Sequence, residues 1–361
     1  MANDQTVADV TSRLSQAFNL SKAAGWDPVG LQLGDPAAVV SRVAVCHELT
    51  PEVVDRLVDA DVDLAVTYHP LLFRPTRSLV AGNSAAGRAF RLISAGIAVI
   101  VTHTAFDVAP SGTADRLAET LELADVSGFG PAWGTDTVKI VSFAPAATVD
   151  DITAAMAAAG AGTIGRYTNC SFRIDGTGTY VPGIGADPAV GSKRVFNFEP
   201  ESRFEMVVPE SRVDRVTAAL VAAHPYEEPA YDVISARSNA GFVGRKGRLP
   251  VAMSLAELAS KVGDELGGVV RVAGAGSVES VAVIPGSGGG MFDSVDADVV
   301  VTGDVSHHQA RDALARGMAI VDPGHAATER PGVRSLYAAV AQLVGDAVDL
   351  TDVDADPWKG R

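Results

Sequence analysis

A chain of 361 residues is too long for one ordinary hydrophobic core, so two domains are expected. Apolar residues make up 47% and the 20% of charged residues are interspersed rather than blocked, which is the composition of a globular protein. The formal net charge of −15 argues against a nucleic-acid groove, which needs clustered Lys and Arg, and leaves room for a site made locally positive by bound cations.

The first third alternates short apolar runs with amphipathic segments. Strands are expected at Val43–Cys46, Leu64–Thr67 and Ile97–Thr102, and helices at Pro51–Val58, Arg88–Ala95 and Thr113–Leu123. The middle differs. KIVSFAP reads as a strand and Val149–Ala159 as a helix, and the glycine-rich GTGTYVPGIGADPAVG reads as a hairpin or loop. FEMVVP and a helix at Arg212–Ala223 lead into HPYEEPAYDVI. A strand-helix-strand unit occurring twice suggests a ferredoxin-like α+β domain. The last third resumes the α/β rhythm with strands at Val281–Ile284, Val299–Thr302 and Ala319–Asp322 and helices at His308–Arg316 and Pro331–Leu343. The expected fold class is therefore an α/β domain with a sheet and flanking helices, interrupted by an α+β insertion. Its parts are 1–135, the insertion 136–236, and 237–361.

The outer thirds also resemble each other. RVAVCHELT…VDADVDLAVTYHP runs from a VAV strand through VDAD to a strand ending in Thr67, and SVAVIPGSGGG…VDADVVVTGD does the same, ending in Thr302. Each is followed by a strand, a His and a carboxylate four residues on: His103 and Asp107, then His325 and Glu329. The outer domain thus reads as internally duplicated.

Six of the seven histidines lie in the outer thirds, several at the ends of expected strands, where open α/β sheets bind ligands. His69 follows one strand, His103 and Asp107 a second, and His325 and Glu329 a third. Asp304, His307 and His308 follow a fourth. Taken singly, each has an ordinary explanation: His325 and Glu329 suit a helix start with an early acid, and Asp107 a turn or an N-cap before Thr113. Together they suit one or two divalent ions, zinc, iron or manganese, held by imidazole and carboxylate. Glu329 is of a type that bridges two ions. His103, His307 and His308 are candidate catalytic groups for proton transfer. His224 has no imidazole close in sequence and reads as structural. The PGSGGGMF stretch matches neither nucleotide-binding glycine motif and reads as a tight turn near the site. Cys46 and Cys170 show no C-x-x-C spacing, so neither a disulfide framework nor a thiolate zinc site is expected. No signal peptide and no long apolar run appear, so a cytoplasmic location is expected and no membrane association.

GWDPVGLQLGD, VTYHPLLF, VTHTAFD, HPYEEPAYDV, TGDVSHHQARDAL and DPGHAATE together resemble the GTP cyclohydrolase I type 2 homologues, also called NIF-three-like proteins. The resemblance implies a dinuclear metal centre in a homohexameric toroid, with the insertion a PII-like or CutA-like domain. It also implies a hydrolase acting on a nucleotide or other phosphorylated small molecule, or alternatively a non-catalytic metal-binding assembly, chaperone or regulatory protein. The implied ligands are His69, Asp107, His325 and a bridging Glu329. Family members usually carry two adjacent histidines before the proline of the T-x-H-P stretch. Here the first is Tyr68, and a neutral phenol is a far poorer ligand than imidazole. One ion would then be weakly held, absent, or bound through Tyr68 as phenolate or through water.

Overall fold

The computed structural model describes residues 5–131, 137–164, 167–236, 241–353 and 356–358. The chain divides into an outer unit, residues 1–134 with 240–361, and an inner unit, residues 135–239. The division points read from sequence, after 135 and before 237, lie outside the described residues.

The outer unit begins with α1 (Val7–Phe18), started by a capping box in which Thr6 and Asp9 each satisfy the other's backbone N–H. There follow β1 (Gly30–Leu33), β2 (Val43–Cys46), α2 (Pro51–Asp59), β3 (Leu64–Thr67), α3 (Ala85–Ser94), β4 (Ala98–Val101), α4 (His103–Asp107), α5 (Thr113–Thr120) and β5 (Ala124–Pro131). The inner unit consists of β6 (Thr137–Ala144), α6 (Val149–Ala158), β7 (Phe172–Tyr180), β8 (Asn197–Pro209), α7 (Val213–Ala223) and β9 (Tyr231–Ala236). The outer unit then resumes with β10 (Phe242–Ser254), α8 (Leu255–Leu266), β11 (Arg271–Ala273), β12 (Ser277–Ser287), β13 (Val299–Gly303), α9 (His307–Ala315), β14 (Ala319–Asp322), α10 (His325–Val344) and β15 (Val348–Leu350). Among the described residues no helix is long and apolar enough to cross a membrane.

The result is a mixed α/β molecule, with three sheets among the described residues. Two belong to the outer unit, ordered β1-β4-β3-β2-β15 and β11-β14-β13-β12-β10-β5. In the first, β2, β3 and β4 run parallel with β1 antiparallel at the edge; in the second, β12, β13 and β14 run parallel with β11 antiparallel at the edge. The registers correspond as well. Val43, Leu64 and Ala98 are paired in a row in one sheet, as Val281, Val299 and Ala319 are in the other. Every residue of β2, β3, β4, β13 and β14 is buried, because parallel strands covered on both faces need near-continuous apolar sequence. Pro131, where β5 ends, is paired with Phe242, where β10 begins, so the chain leaves and re-enters the outer unit at neighbouring points of one sheet.

The helix expected to begin at Pro331 instead begins at His325 and carries Pro331 inside it. Gly324, at φ +101, lets the chain turn from β14 into the helix, and Ala326, Ala327, Thr328 and Glu329 are buried in its first turns. A proline read as the first helical residue is a sound signal that burial overrode here. At Gly332 a Cβ would lie 2.5 Å from the Thr113 Cα, so α10 packs against the start of α5 only with glycine there.

The inner sheet is antiparallel throughout, in the order β7-β8-β6-β9. Its core, built on Ile140, Ile152, Met156, Phe204, Met206, Val216 and Leu220, packs the sheet against α6 and α7.

Candidate metal centre

Glu329 is the centre of the cluster. Its carboxylate is 3% exposed, yet three imidazoles reach it: His47 Nε2 at 2.8 Å and His69 Nε2 at 3.3 Å on Oε2, and His325 Nε2 at 2.9 Å on Oε1. Each comes from the end of a parallel strand. His47 follows β2, His69 follows β3, and His325 and Glu329 occupy the first turn and a half of the helix after β14. One ligand atom each from His47, His69 and Glu329 lies within 4.8 Å of the others, a spacing that fits a single metal ion.

The electrostatics are those of a buried carboxylate surrounded by bases. Burial alone would raise the Glu329 pKa, but the charge of His69 and the hydrogen bonds from His325, His47 and His69 hold it well below the usual carboxylate range. Burial likewise disfavours the imidazolium of His69, yet Glu329, aided by Glu48, overcomes this and pushes it up to about 10. His325 follows the same logic, raised to about 9 against burial by Glu329 and by Asp304.

Two further carboxylates orient imidazoles from behind. Asp304 Oδ2 lies 2.7 Å from His325 Nδ1, which directs Nε2 at Glu329. The Asp27 carboxylate, its side chain fully enclosed, lies 2.9 Å from His103 Nδ1 and also accepts from the Thr104 amide and hydroxyl. A carboxylate fixing one ring nitrogen so that the other faces inward is the usual support of a metal-binding histidine. Both strand ends carry unusual backbone: His103 has φ +24 and Asp304 φ +55.

His103 packs edge-on against Tyr68 and His69, at ring-centroid distances of 5.5 and 5.3 Å, and so adjoins the cluster. Tyr68 is fully buried and donates its hydroxyl to Asp107 Oδ1 at 2.6 Å. Burial and the charges of Asp107 and Glu329 keep its phenol well above the ordinary pKa of 10, so it is a neutral donor. Burial also raises Asp107, offset in part by the charge of His103 and the Tyr68 hydrogen bond. Asp107 does not cap α5, whose N-cap is Gly112. His307 and His308 open α9, exposed and packed on each other at 5.4 Å; neither has a hydrogen bond or ion pair to the cluster among the described residues.

His47, not among the candidate ligands expected from sequence, carries the same signal as its partners, a histidine immediately after a buried strand. Asp27, in GWDPVG, gave no such signal. The glycine-rich stretch does turn beside the site. At Gly286, φ +64, a Cβ would lie 2.6 Å from Glu329 Oε1 and 3.3 Å from His325 Cε1 and Nε2. The Gly286 amide donates to Thr328 Oγ1 at 2.9 Å, which ties the turn to the helix that carries Glu329. His224 lies in the inner unit and is structural: Nε2 donates to the Phe143 carbonyl at 3.0 Å and Nδ1 accepts the Tyr226 amide at 3.1 Å.

Strand-end imidazoles converging on one buried carboxylate in an α/β unit define a candidate metal-binding protein. The chain belongs to the Duf34/NIF3 (NGG1p interacting factor 3) family, whose model matches residues 5–357. It is 36% identical to the GTP cyclohydrolase 1 type 2 homologue of Bacillus subtilis over 92% of each chain. With the protein of that name from Mycobacterium tuberculosis it shares 35% identity over 98% of this chain and 96% of the other. Its fold matches the crystal structure of a Bacillus cereus protein related to NIF3 over the full length of both chains, with a TM-score of 0.66 and 30% identity.

Proposed function

We propose that this protein holds a divalent metal ion on His47, His69 and Glu329, with His325 as a further ligand, and hydrolyses a nucleotide or another phosphorylated small molecule. The observation that carries the reading is the buried Glu329 carboxylate facing three imidazoles. The donors are nitrogen and oxygen alone. Cys46, next to His47, is buried with its thiol pushed up to about 12 and contributes no thiolate. Such a set suits zinc, iron(II) or manganese.

A bound divalent ion would supply a Lewis acid that polarises a substrate oxygen and acidifies water. The chain's own residues do the rest. Glu329 anchors the site, and Asp304 fixes the orientation of His325. Asp27 holds His103 by Nδ1 and leaves its Nε2 to accept or return a proton. His325, about a third exposed, marks the side from which substrate enters. Asp107 is the residue left for a second ion, and its bond to Tyr68 favours a one-metal site. The same bond motivates the alternative, a metal-binding assembly, chaperone or regulatory protein without catalysis. The homohexamer and the PII-like or CutA-like character of the inner unit belong to this proposal. The βαββαβ succession and the order β7-β8-β6-β9 support a ferredoxin-like reading of that unit.

The test is turnover of a nucleotide and phosphoester panel by full-length protein loaded with zinc, manganese or iron(II), beside Glu329→Gln. Metal-dependent turnover that the variant lacks is expected. A metal-loaded protein inert across the panel overturns the hydrolase reading in favour of the non-catalytic one.

A further inference from the structure

The two sequence segments that the metal centre leaves unused, the glycine-rich GTGTYVPGIGADPAVG and HPYEEP, meet in the inner unit around one cavity of about 850 Å³. That volume lies in the range of small-molecule sites. It is lined by β7 from Ile174 to Tyr180, by Glu201 and Arg203 of β8 and by Phe143 of β6, all neighbouring strands of one sheet, together with residues of the turn 226–230 and of the loop after β7.

The loop is held in place by specific bonds. Buried Asn197 accepts the Ser192 amide at 2.8 Å and donates to the carbonyls of Ser192 and Val195 at 2.9 and 2.8 Å. Tyr180 donates its hydroxyl to the Val190 carbonyl at 2.6 Å. Across the opening, Glu227 Oε2 accepts the Asp187 amide at 2.8 Å, joining the loop to the HPYEEP turn. At Gly178 a Cβ would collide with the Glu201 carboxylate, so the glycines of β7 make room beside it.

The charged part of the lining is mostly acidic. Asp187, Glu201, Glu227 and Glu228 outnumber the one cation among the described lining residues, Arg203, which is itself paired with Glu205 outside the cavity at 3.1 Å; Lys193 stands 3.9 Å from Asp187, and Asp175 turns to the other face of the sheet, where it accepts the Ser202 hydroxyl. Tyr226 donates to Glu201 Oε1 at 2.5 Å, which fixes that carboxylate against the ring. Glu228 has no hydrogen bond or ion pair among the described residues. Carboxylates beside the rings of Phe143, Tyr180 and Tyr226 form a surface for a positive charge carried on an apolar body, through ion pairing and cation–π contact.

We propose that this cavity is a binding site for a small organic cation, an amine or guanidinium on an apolar stem, independent of the metal centre. The test is isothermal titration of the full-length protein with agmatine, benzamidine and spermidine, and with adenosine monophosphate and citrate as anionic counterparts. At least one cation binds saturably and the anions do not. Glu228→Gln, at an exposed and unpaired position that leaves folding intact, weakens that binding by threefold or more, and Glu201→Gln by tenfold or more, with metal content unchanged in both. Preferential binding of either anion, no saturable binding of any of the three cations up to millimolar concentration, or cation affinity unaltered in both variants would overturn the proposal.

Discussion

Gly286→Ala is a one-methyl change that should be felt at the metal centre. The new Cβ would sit 2.6 Å from Glu329 Oε1, well inside van der Waals contact, and 3.3 Å from two atoms of the His325 ring. Neither neighbour can swing away freely. Glu329 is 3% exposed and held by three imidazoles, and His325 is fixed from behind by Asp304. The backbone adds its own penalty, because φ +64 is left-handed and costs a non-glycine residue about 1–2 kcal/mol. We expect Gly286→Ala to lose about that much stability. The displaced carboxylate should lower metal affinity by about 10–100-fold, the range seen when the support of a ligand is disturbed. Gly290→Ala in the same turn is the control, since nothing lies within 4 Å of its Cβ and its φ is not positive. It should stay within about 0.5 kcal/mol of the parent. The assays are thermal unfolding and zinc competition against a chromogenic chelator. Parental zinc affinity in Gly286→Ala would refute the placement of this turn against Glu329.

Tyr68→His replaces a neutral phenol by a ligand beside Asp107 and should raise bound metal from about one ion per chain to about two, read by elemental analysis after dialysis. An unchanged count would show that Tyr68 does not limit the site. Burial depresses the His224 pKa below its ordinary 6.5, so its stabilisation is complete above that value and is lost as pH falls through the lower folded value. Amide exchange over 224–230 should therefore accelerate, relative to its intrinsic rate, between pH 7.5 and pH 5; constant protection would contradict this. Native labelling with iodoacetamide should modify Cys170 and spare Cys46, whose thiol is buried and raised to about 12. Equal labelling of both would refute the burial of β2.

The parallel strands of the outer unit were legible because they are short, continuous apolar runs between turn residues, as at Val43–Cys46, Leu64–Thr67 and Ala319–Asp322. The placement of His69, His325 and Glu329 beside one another at strand ends was legible for a related reason: they stand where such runs stop. The start of α10 was not. HAATE offers no apolar period, and Pro331 mimics a first helical residue, so only tertiary burial of the first turns reveals the helix. Asp27 reaches His103 from a segment with no regular structure, a pairing that no local pattern encodes. Tyr68 stood out in sequence as a substitution, but its bond to Asp107 depends on the distance between the ends of β3 and β4. Likewise Gly286 reads as one glycine among several until Glu329 is placed beneath it.

One buried carboxylate, Glu329, is proposed to organise a metal site from strand-end histidines. Elemental analysis of the purified full-length protein and of Glu329→Gln, after zinc loading and dialysis, tests it most directly. The parent should retain at least one equivalent of zinc per chain and the variant, which keeps the shape but not the charge, should retain almost none. Equal zinc in both proteins, or none in the parent, would contradict it.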